Sequence, residues 1–145
     1  MATQIQLTFD AADPPGLAAF WAEVLGYVTE PPPEGHETWE SWLTAMHVPE
    51  ERWGSVATLV DPEGARPRIY IQQVPEPKVA KNRLHIDVRT RGNTRETPAD
   101  ERWARIDAEA ERLVGLGAVR VETVEEHGSR HVVMQDPEGN EFCLT

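Results

Sequence analysis

The tetrapeptide Asp-Pro-Glu-Gly occurs twice, at Asp61–Gly64 and at Asp136–Gly139. Each copy follows a run that reads as a strand (Val56–Val60, His131–Gln135) and precedes another (Pro67–Val74, Asn140–Leu144). Asp-Pro-x-Gly suits a type I turn: the Asp side chain accepts from the backbone ahead of it, Pro pre-sets φ, and Gly closes the turn. One copy would be a generic hairpin. Two copies in matching surroundings point to two similar halves.

The rest of the chain can be divided on that basis. Gln4 to Asp10 alternates, with Ile5, Leu7 and Phe9 on one face and Gln4, Gln6, Thr8 and Asp10 on the other, as a half-buried strand does. Asp13 reads as an N-cap before Pro14. A helix to Leu25 follows, with the stripe Leu17, Phe20, Trp21, Val24 and Leu25 and with Gly26 as its C-terminal stop. Tyr27 and Val28 start a short strand that Pro31-Pro32-Pro33 breaks. Trp39, Trp42, Leu43 and Met46 suit either a strand or a helical turn. The reading preferred is an extended strand around Trp42–His47, then a loop at Pro49–Gly54. Pro75 to Lys81 is a linker. Arg83 to Thr90 alternates again, and Asp100 is placed to cap a helix from Glu101 to Leu116 with Trp103, Ile106, Ala110, Leu113 and Val114 facing inward. Gly117 ends it as Gly26 ends the first. A strand at Ala118–Val124, a turn at Glu125–Ser129 and the second hairpin complete the chain.

Each half therefore reads strand, helix, three strands. The expected fold is α+β: two βαβββ modules forming a curved mixed sheet with helices on its outer face. The 145 residues make one domain, with module 1 over 1–74, a linker at 75–82 and module 2 over 83–145.

Fourteen basic and 25 acidic residues give a formal charge of −11, which argues against nucleic acid or an anionic membrane as partner. No apolar run approaches a membrane span, and the N-terminus lacks the blocks of a signal peptide. The single cysteine, Cys143, excludes an internal disulfide and fits a reducing compartment. The expectation is a soluble cytoplasmic protein. Phosphate loops, dinucleotide fingerprints and paired-cysteine motifs are absent.

The strand faces carry the chemistry. Ile5, Leu7, Phe9, Ile69, Ile71, Leu84, Ile86, Val88, Phe142 and Leu144 make an apolar side to pack beneath the helices. Gln6, Thr8, Tyr70, Gln72, His85, Asp87, Glu141 and Cys143 fall on the other side, since side chains two apart share a face. One reading is an ordinary wet face. The other is a lined cup, because Tyr, His, Cys and Gln are unusual on an open surface and concave sites with convergent polar groups bind ligands.

The double βαβββ layout, Ala12-Asp13-Pro14, Phe20-Trp21 with Leu25-Gly26, and the closing Asp136-Pro137-Glu138-Gly139-Asn140-Glu141-Phe142-Cys143 resemble the vicinal oxygen chelate superfamily, which includes glyoxalase I, bleomycin-resistance proteins and extradiol dioxygenases. More narrowly, Val74-Pro75-Glu76-Pro77-Lys78 with Lys81-Asn82-Arg83-Leu84-His85-Ile86-Asp87 looks like the bacterial glyoxalase-like domain proteins. The resemblance implies that the four metal-ligand positions of metal-dependent members fall at Gln6, Gln72, His85 and Cys143. Both usual carboxylates are missing there. Neutral amides are poor ligands for Zn, Ni, Mn or Fe as divalent ions, so the residues favour no tightly held metal.

His85 and Glu141 are the candidate catalytic residues. Gln6, Thr8, Tyr70, Gln72, Asp87, Lys78 and Cys143 are the candidate ligand-binding ones. Lys78, Lys81 and Arg83 are either a solvated linker or an anion-reading rim. Cys143 reads as a small buried side chain, and His131 as a further candidate for the cup. Trp39, Trp42 and Trp53 are better placed than Trp21 and Trp103 to stack on a planar ligand, and His36 and His47 read as surface residues. The function expected is small-molecule binding, by a homodimer if the resemblance holds. The alternatives are a metal-dependent lyase, isomerase or dioxygenase acting on a small oxygenated substrate, or a purely structural or regulatory dimer.

Overall fold

The computed structural model describes residues 2–145. It divides into two compact units, one ending at Pro77 and the other beginning at Lys78. The first contains β1 (Gln6–Ala11), α1 (Pro14–Leu25), β2 (Val28–Thr29), α2 (Trp39–Ala45), a 3-10 turn (Glu50–Ser55), β3 (Val56–Val60) and β4 (Arg68–Gln73). The second contains β5 (Ile86–Val88), α3 (Ala99–Val114), β6 (Val119–Glu126), β7 (Ser129–Gln135) and β8 (Glu141–Leu144).

Each unit has a four-stranded mixed sheet, in the orders β1-β4-β3-β2 and β5-β8-β7-β6. In both, the first strand runs parallel to the last and the remaining pairs are antiparallel. A parallel neighbour needs a long crossover, and the helix plus the intervening hairpin supply it.

The two Asp-Pro-Glu-Gly turns form alike. Gly64 N–H donates to the Asp61 carbonyl and Gly139 N–H to that of Asp136, both at 2.9 Å. Both glycines have positive φ, 67° and 85°, a region other residues enter only with strain. Asp61 Oδ1 accepts from Glu63 N–H at 3.0 Å, and Asp136 Oδ1 from Glu138 N–H at 2.9 Å.

α1 forms where its signals lie. The Asp13 side chain accepts from Gly16 N–H at 3.2 Å, Pro14 and Pro15 open the helix, and Gly26 closes it in the left-handed conformation. Leu17, Phe20, Trp21 and Val24 pack down, and the core of the unit adds Leu59, Ile69 and Ile71. The Trp21 ring lies 5.4 Å from that of Phe9. In the second unit Ile106, Ala110 and Leu113 of α3 are buried, as are Val132, Met134, Phe142 and Leu144.

The structure corrects four local expectations. Residues around Trp42–His47 form no strand: Trp39–Ala45 is helical, with the Thr38 hydroxyl accepting from Ser41 N–H at 3.1 Å as its cap. Pro49–Gly54 is largely the 3-10 turn rather than an open loop. Asp100 is not the cap of α3. Pro98 holds that position with no side-chain bond, and Asp100 sits in the first turn, where its charge complements the helix dipole. Ile5 and Leu84 precede their ladders and are exposed at 65% and 72%, Val114 is exposed, and Trp103 is only half-buried.

Candidate functional site

The polar face of the first unit is set by register. β1 and β4 place Gln6 beside Arg68, Thr8 beside Tyr70 and Asp10 beside Gln72. Arg68 is the hub. Its Nη1 donates to Gln6 Oε1 at 2.6 Å, and its Nε donates to Glu30 Oε1 at 3.0 Å. Its guanidinium carbon lies 5.6 Å from the centre of the Tyr70 ring. The hydrogen bond from Arg68 is the main reason the Glu30 carboxyl is held below its ordinary pKa, against the opposing effect of burial. Gln72 Nε2 donates to Asp10 Oδ1 at 2.9 Å.

Arg68, Glu30 and Asp10 were missed as site residues. Arg68 had a signal, because it alternates with Tyr70 and Gln72 on one strand. Glu30 follows β2 and reaches the face only through the fold.

This unit also encloses a cavity of about 630 Å³. Thr58, Arg68 and Tyr70 line it, with Trp39, Trp42 and Leu43 of α2, Trp53 of the 3-10 turn, and Ala18, Ala19 and Ala22 of α1. Trp39 Nε1 donates to the Glu30 carbonyl at 2.7 Å and Trp53 Nε1 to that of Val48 at 3.0 Å. The rings of Trp39 and Trp42 meet edge to face, 5.6 Å apart. With both N–H donors engaged, these indoles present carbon surface to the cavity. Neither α2 nor the 3-10 turn buries a single residue, so their apolar side chains are not packing into the core.

In the second unit β5 lies beside β8, with Asp87 opposite Cys143. His85 Nε2 stands 3.4 Å from Asp87 Oδ1, and the ligating atoms of His85, Asp87 and Cys143 all lie within 4.8 Å of one another. His85 and Asp87 are exposed, and Cys143 is buried. Burial, with the Asp87 carboxylate adding to it, pushes the Cys143 thiol above its ordinary pKa.

Glu141 is anchored to the segment ahead of β5. Its carboxylate accepts from Asn82 N–H at 2.9 Å and meets Lys78 Nζ at 3.2 Å. Burial would raise this carboxyl, but the Asn82 N–H and the Lys78 ammonium outweigh it and hold the pKa below the usual value. Lys78 also donates to the Ala80 carbonyl. His131 shares its face of β7 with Val133, whose partner is Cys143.

The four positions implied as metal ligands thus divide between the units, Gln6 and Gln72 in the first, His85 and Cys143 in the second. Gln6 and Gln72 offer only neutral amides to a divalent cation, whereas His85 and Cys143 stand with Asp87 as a group whose ligating atoms are close enough to share one. The Gln6 oxygen already accepts a hydrogen bond from the Arg68 guanidinium.

Residues 6–145 match the family model described as a glyoxalase-like domain. No curated protein matches the chain by sequence. Among solved structures, the fosfomycin resistance protein FosX from Mesorhizobium loti is similar at TM-score 0.60 and 14% identity, with 99% of this chain and 91% of that chain covered. A possible glyoxalase from Bacillus cereus gives TM-score 0.60 and 14% identity over 100% and 99%. The bleomycin-binding protein of Streptomyces verticillus, in complex with copper(II)-bleomycin, gives 0.52 and 16% over 100% and 96%. At such identities the structural likeness speaks for the fold. With the family model spanning almost the whole sequence and the same strand order in both units, the chain belongs to the glyoxalase-like domain family of the vicinal oxygen chelate superfamily.

Proposed function

We propose that this chain is a small-molecule-binding protein that holds its ligand without a tightly bound divalent metal. The observation that carries the reading is the cavity of about 630 Å³ in the first unit. Its size falls within the usual range for small-molecule sites, and its lining is mostly apolar with a few polar groups, as in such sites. The hydroxyl of Thr58 and the guanidinium of Arg68 supply polar contacts, and Trp39, Trp42 and Trp53 supply surfaces for a planar ring. Arg68 on Gln6 argues against a metal there, because a fixed guanidinium repels a cation brought to the same oxygen.

A binding role also agrees with one neighbour, which is named as bleomycin-binding. The homodimer expected of this family belongs to the same reading, and light scattering at several concentrations checks it.

The experiment has two readouts on protein prepared without a histidine tag. Calorimetry with planar aromatic compounds tests the cavity, and Trp42→Leu is expected to weaken binding about tenfold. Metal analysis after incubation with Zn, Ni, Mn and Fe salts is expected to find well under one ion per chain. Stoichiometric metal that disappears in His85→Ala overturns the metal-free reading. That result would favour the enzyme alternative, for which the closeness of His85, Asp87 and Cys143 is the supporting observation.

A further inference from the structure

The second unit contains a separate cavity of about 340 Å³ whose lining is unlike the rest of the molecule. Arg89, Arg95, Arg102 and Arg130 all line it, with His127, and no Asp or Glu side chain does. The chain as a whole has 25 acidic residues against 14 basic ones, so four arginines around a space lined by no acidic side chain, with only the terminal carboxylate of Thr145 in the lining, run against its composition.

Arg130 is tied down. Its Nη2 lies 3.1 Å from Asp107 Oδ2, and its guanidinium carbon is 5.8 Å from the centre of the Trp103 ring. Arg89, Arg95 and Arg102 have no ion pair or side-chain hydrogen bond among the described residues, although most other arginines here are paired with carboxylates. Arg89 and Arg95 are exposed and Arg102 is half-buried, so an anion entering the space would meet cationic side chains not already paired. Among the lining residues, Asn93 Oδ1 is buried with no hydrogen-bond partner, whereas Arg130 Nε, which also makes no hydrogen bond, lies 3.6 Å from Glu125 Oε1. Leaving a buried polar atom without a hydrogen bond is costly.

We propose that this cavity is an oxyanion site for a phosphate group, carried by inorganic phosphate or by a small phosphomonoester. Guanidinium forks match phosphate oxygens two at a time, and a dianion neutralises more of the cluster than a single carboxylate does. The site lies wholly within residues 89–145 and uses none of the residues of the first unit.

Calorimetric titration at fixed ionic strength tests it with inorganic phosphate, glycerol phosphate and acetate. Phosphate is expected to bind at least tenfold more tightly than acetate. Arg89→Gln and Arg102→Gln should each weaken phosphate about tenfold, and neither change removes an ion pair or a side-chain hydrogen bond seen in the fold. Arg112→Gln, on the same helix but paired with Glu109, should leave phosphate binding unchanged. Tighter binding of glycerol phosphate than of phosphate assigns the site to an ester, and the reverse assigns it to the free ion. Acetate binding as tightly as phosphate overturns the proposal. So does phosphate binding that Arg112→Gln weakens as much as Arg102→Gln.

Discussion

The two units share a strand order and a turn, yet they are filled differently. In the first, twelve-residue α1 buries Pro14, Leu17, Ala18, Phe20, Trp21 and Val24. In the second, sixteen-residue α3 buries only Ile106, Ala110 and Leu113 and covers its outer face with charge. Between β2 and β3 the first unit inserts α2 and the 3-10 turn, where the second passes from β6 to β7 through His127-Gly128. The insertion supplies three tryptophans to the larger cavity, whereas the second unit lines its smaller cavity with arginines. Duplicated topology thus leaves each copy free to line its own space, because the sheet order depends on strand patterning and turns rather than on what crosses between them.

The largest expected contrast lies in the helices. Trp21→Ala should cost about 4 kcal/mol, since it empties a fully buried site against Phe9 and Phe20. Trp103→Ala should cost only about 1 kcal/mol, since that ring is half-buried against Arg130. Urea denaturation measures both, and equal losses would break the contrast.

The turns give the next test. The Asp136 carboxylate accepts hydrogen bonds from Glu138 N–H, Asn140 N–H and the Asn140 amide, and Asp136→Ala should cost about 2 kcal/mol. Asp61 takes three, one of them from the well-exposed Arg66, which has Glu63 as a second partner. Asp61→Ala should therefore destabilise less, and the reverse order in the same urea experiment would show that Arg66 makes the first turn the stronger.

The smallest effect depends on pH. Glu30 has its pKa lowered chiefly by the hydrogen bond from Arg68. A depressed carboxyl stabilises the fold fully above its unfolded pKa of about 4.3 and loses that contribution as pH falls through the folded value. The effect should be 1 kcal/mol or less, at about the level of a partly exposed pair. It should vanish in Arg68→Met when thermal melts are compared between neutral pH and mild acid. An unchanged acid slope in that variant would remove Arg68 from the role given to it.

Much of this fold was legible. β1, α1 and both hairpins follow from alternation, an Asp-Pro start, a Gly stop and a repeated turn, all signals that act within a few residues. The segment before β3 was misread although Trp39, Trp42, Leu43 and Met46 fall at helical spacing. Aromatic residues favour strands, so propensity and period point in opposite directions over this segment. The shortness of β5 was not legible either, because alternation from Arg83 onward says nothing of where the partner strand begins. Among site residues, period two placed Thr8, Tyr70 and Gln72 on the polar face but did not reveal that Gln6 would be occupied by Arg68. The arginine cavity had no signal in the sequence, since its residues come from the end of β5, a loop, a helix and a hairpin that only the fold brings together.

The pairing of each unit's first strand with its last has a bearing on synthesis. During translation β1 leaves the ribosome long before β4, and β5 long before β8, so each opening strand has no partner in its sheet until its own module is finished. The first sheet has its complete set of strands once Gln73 has emerged, and a nascent chain paused in the linker would already carry one finished half.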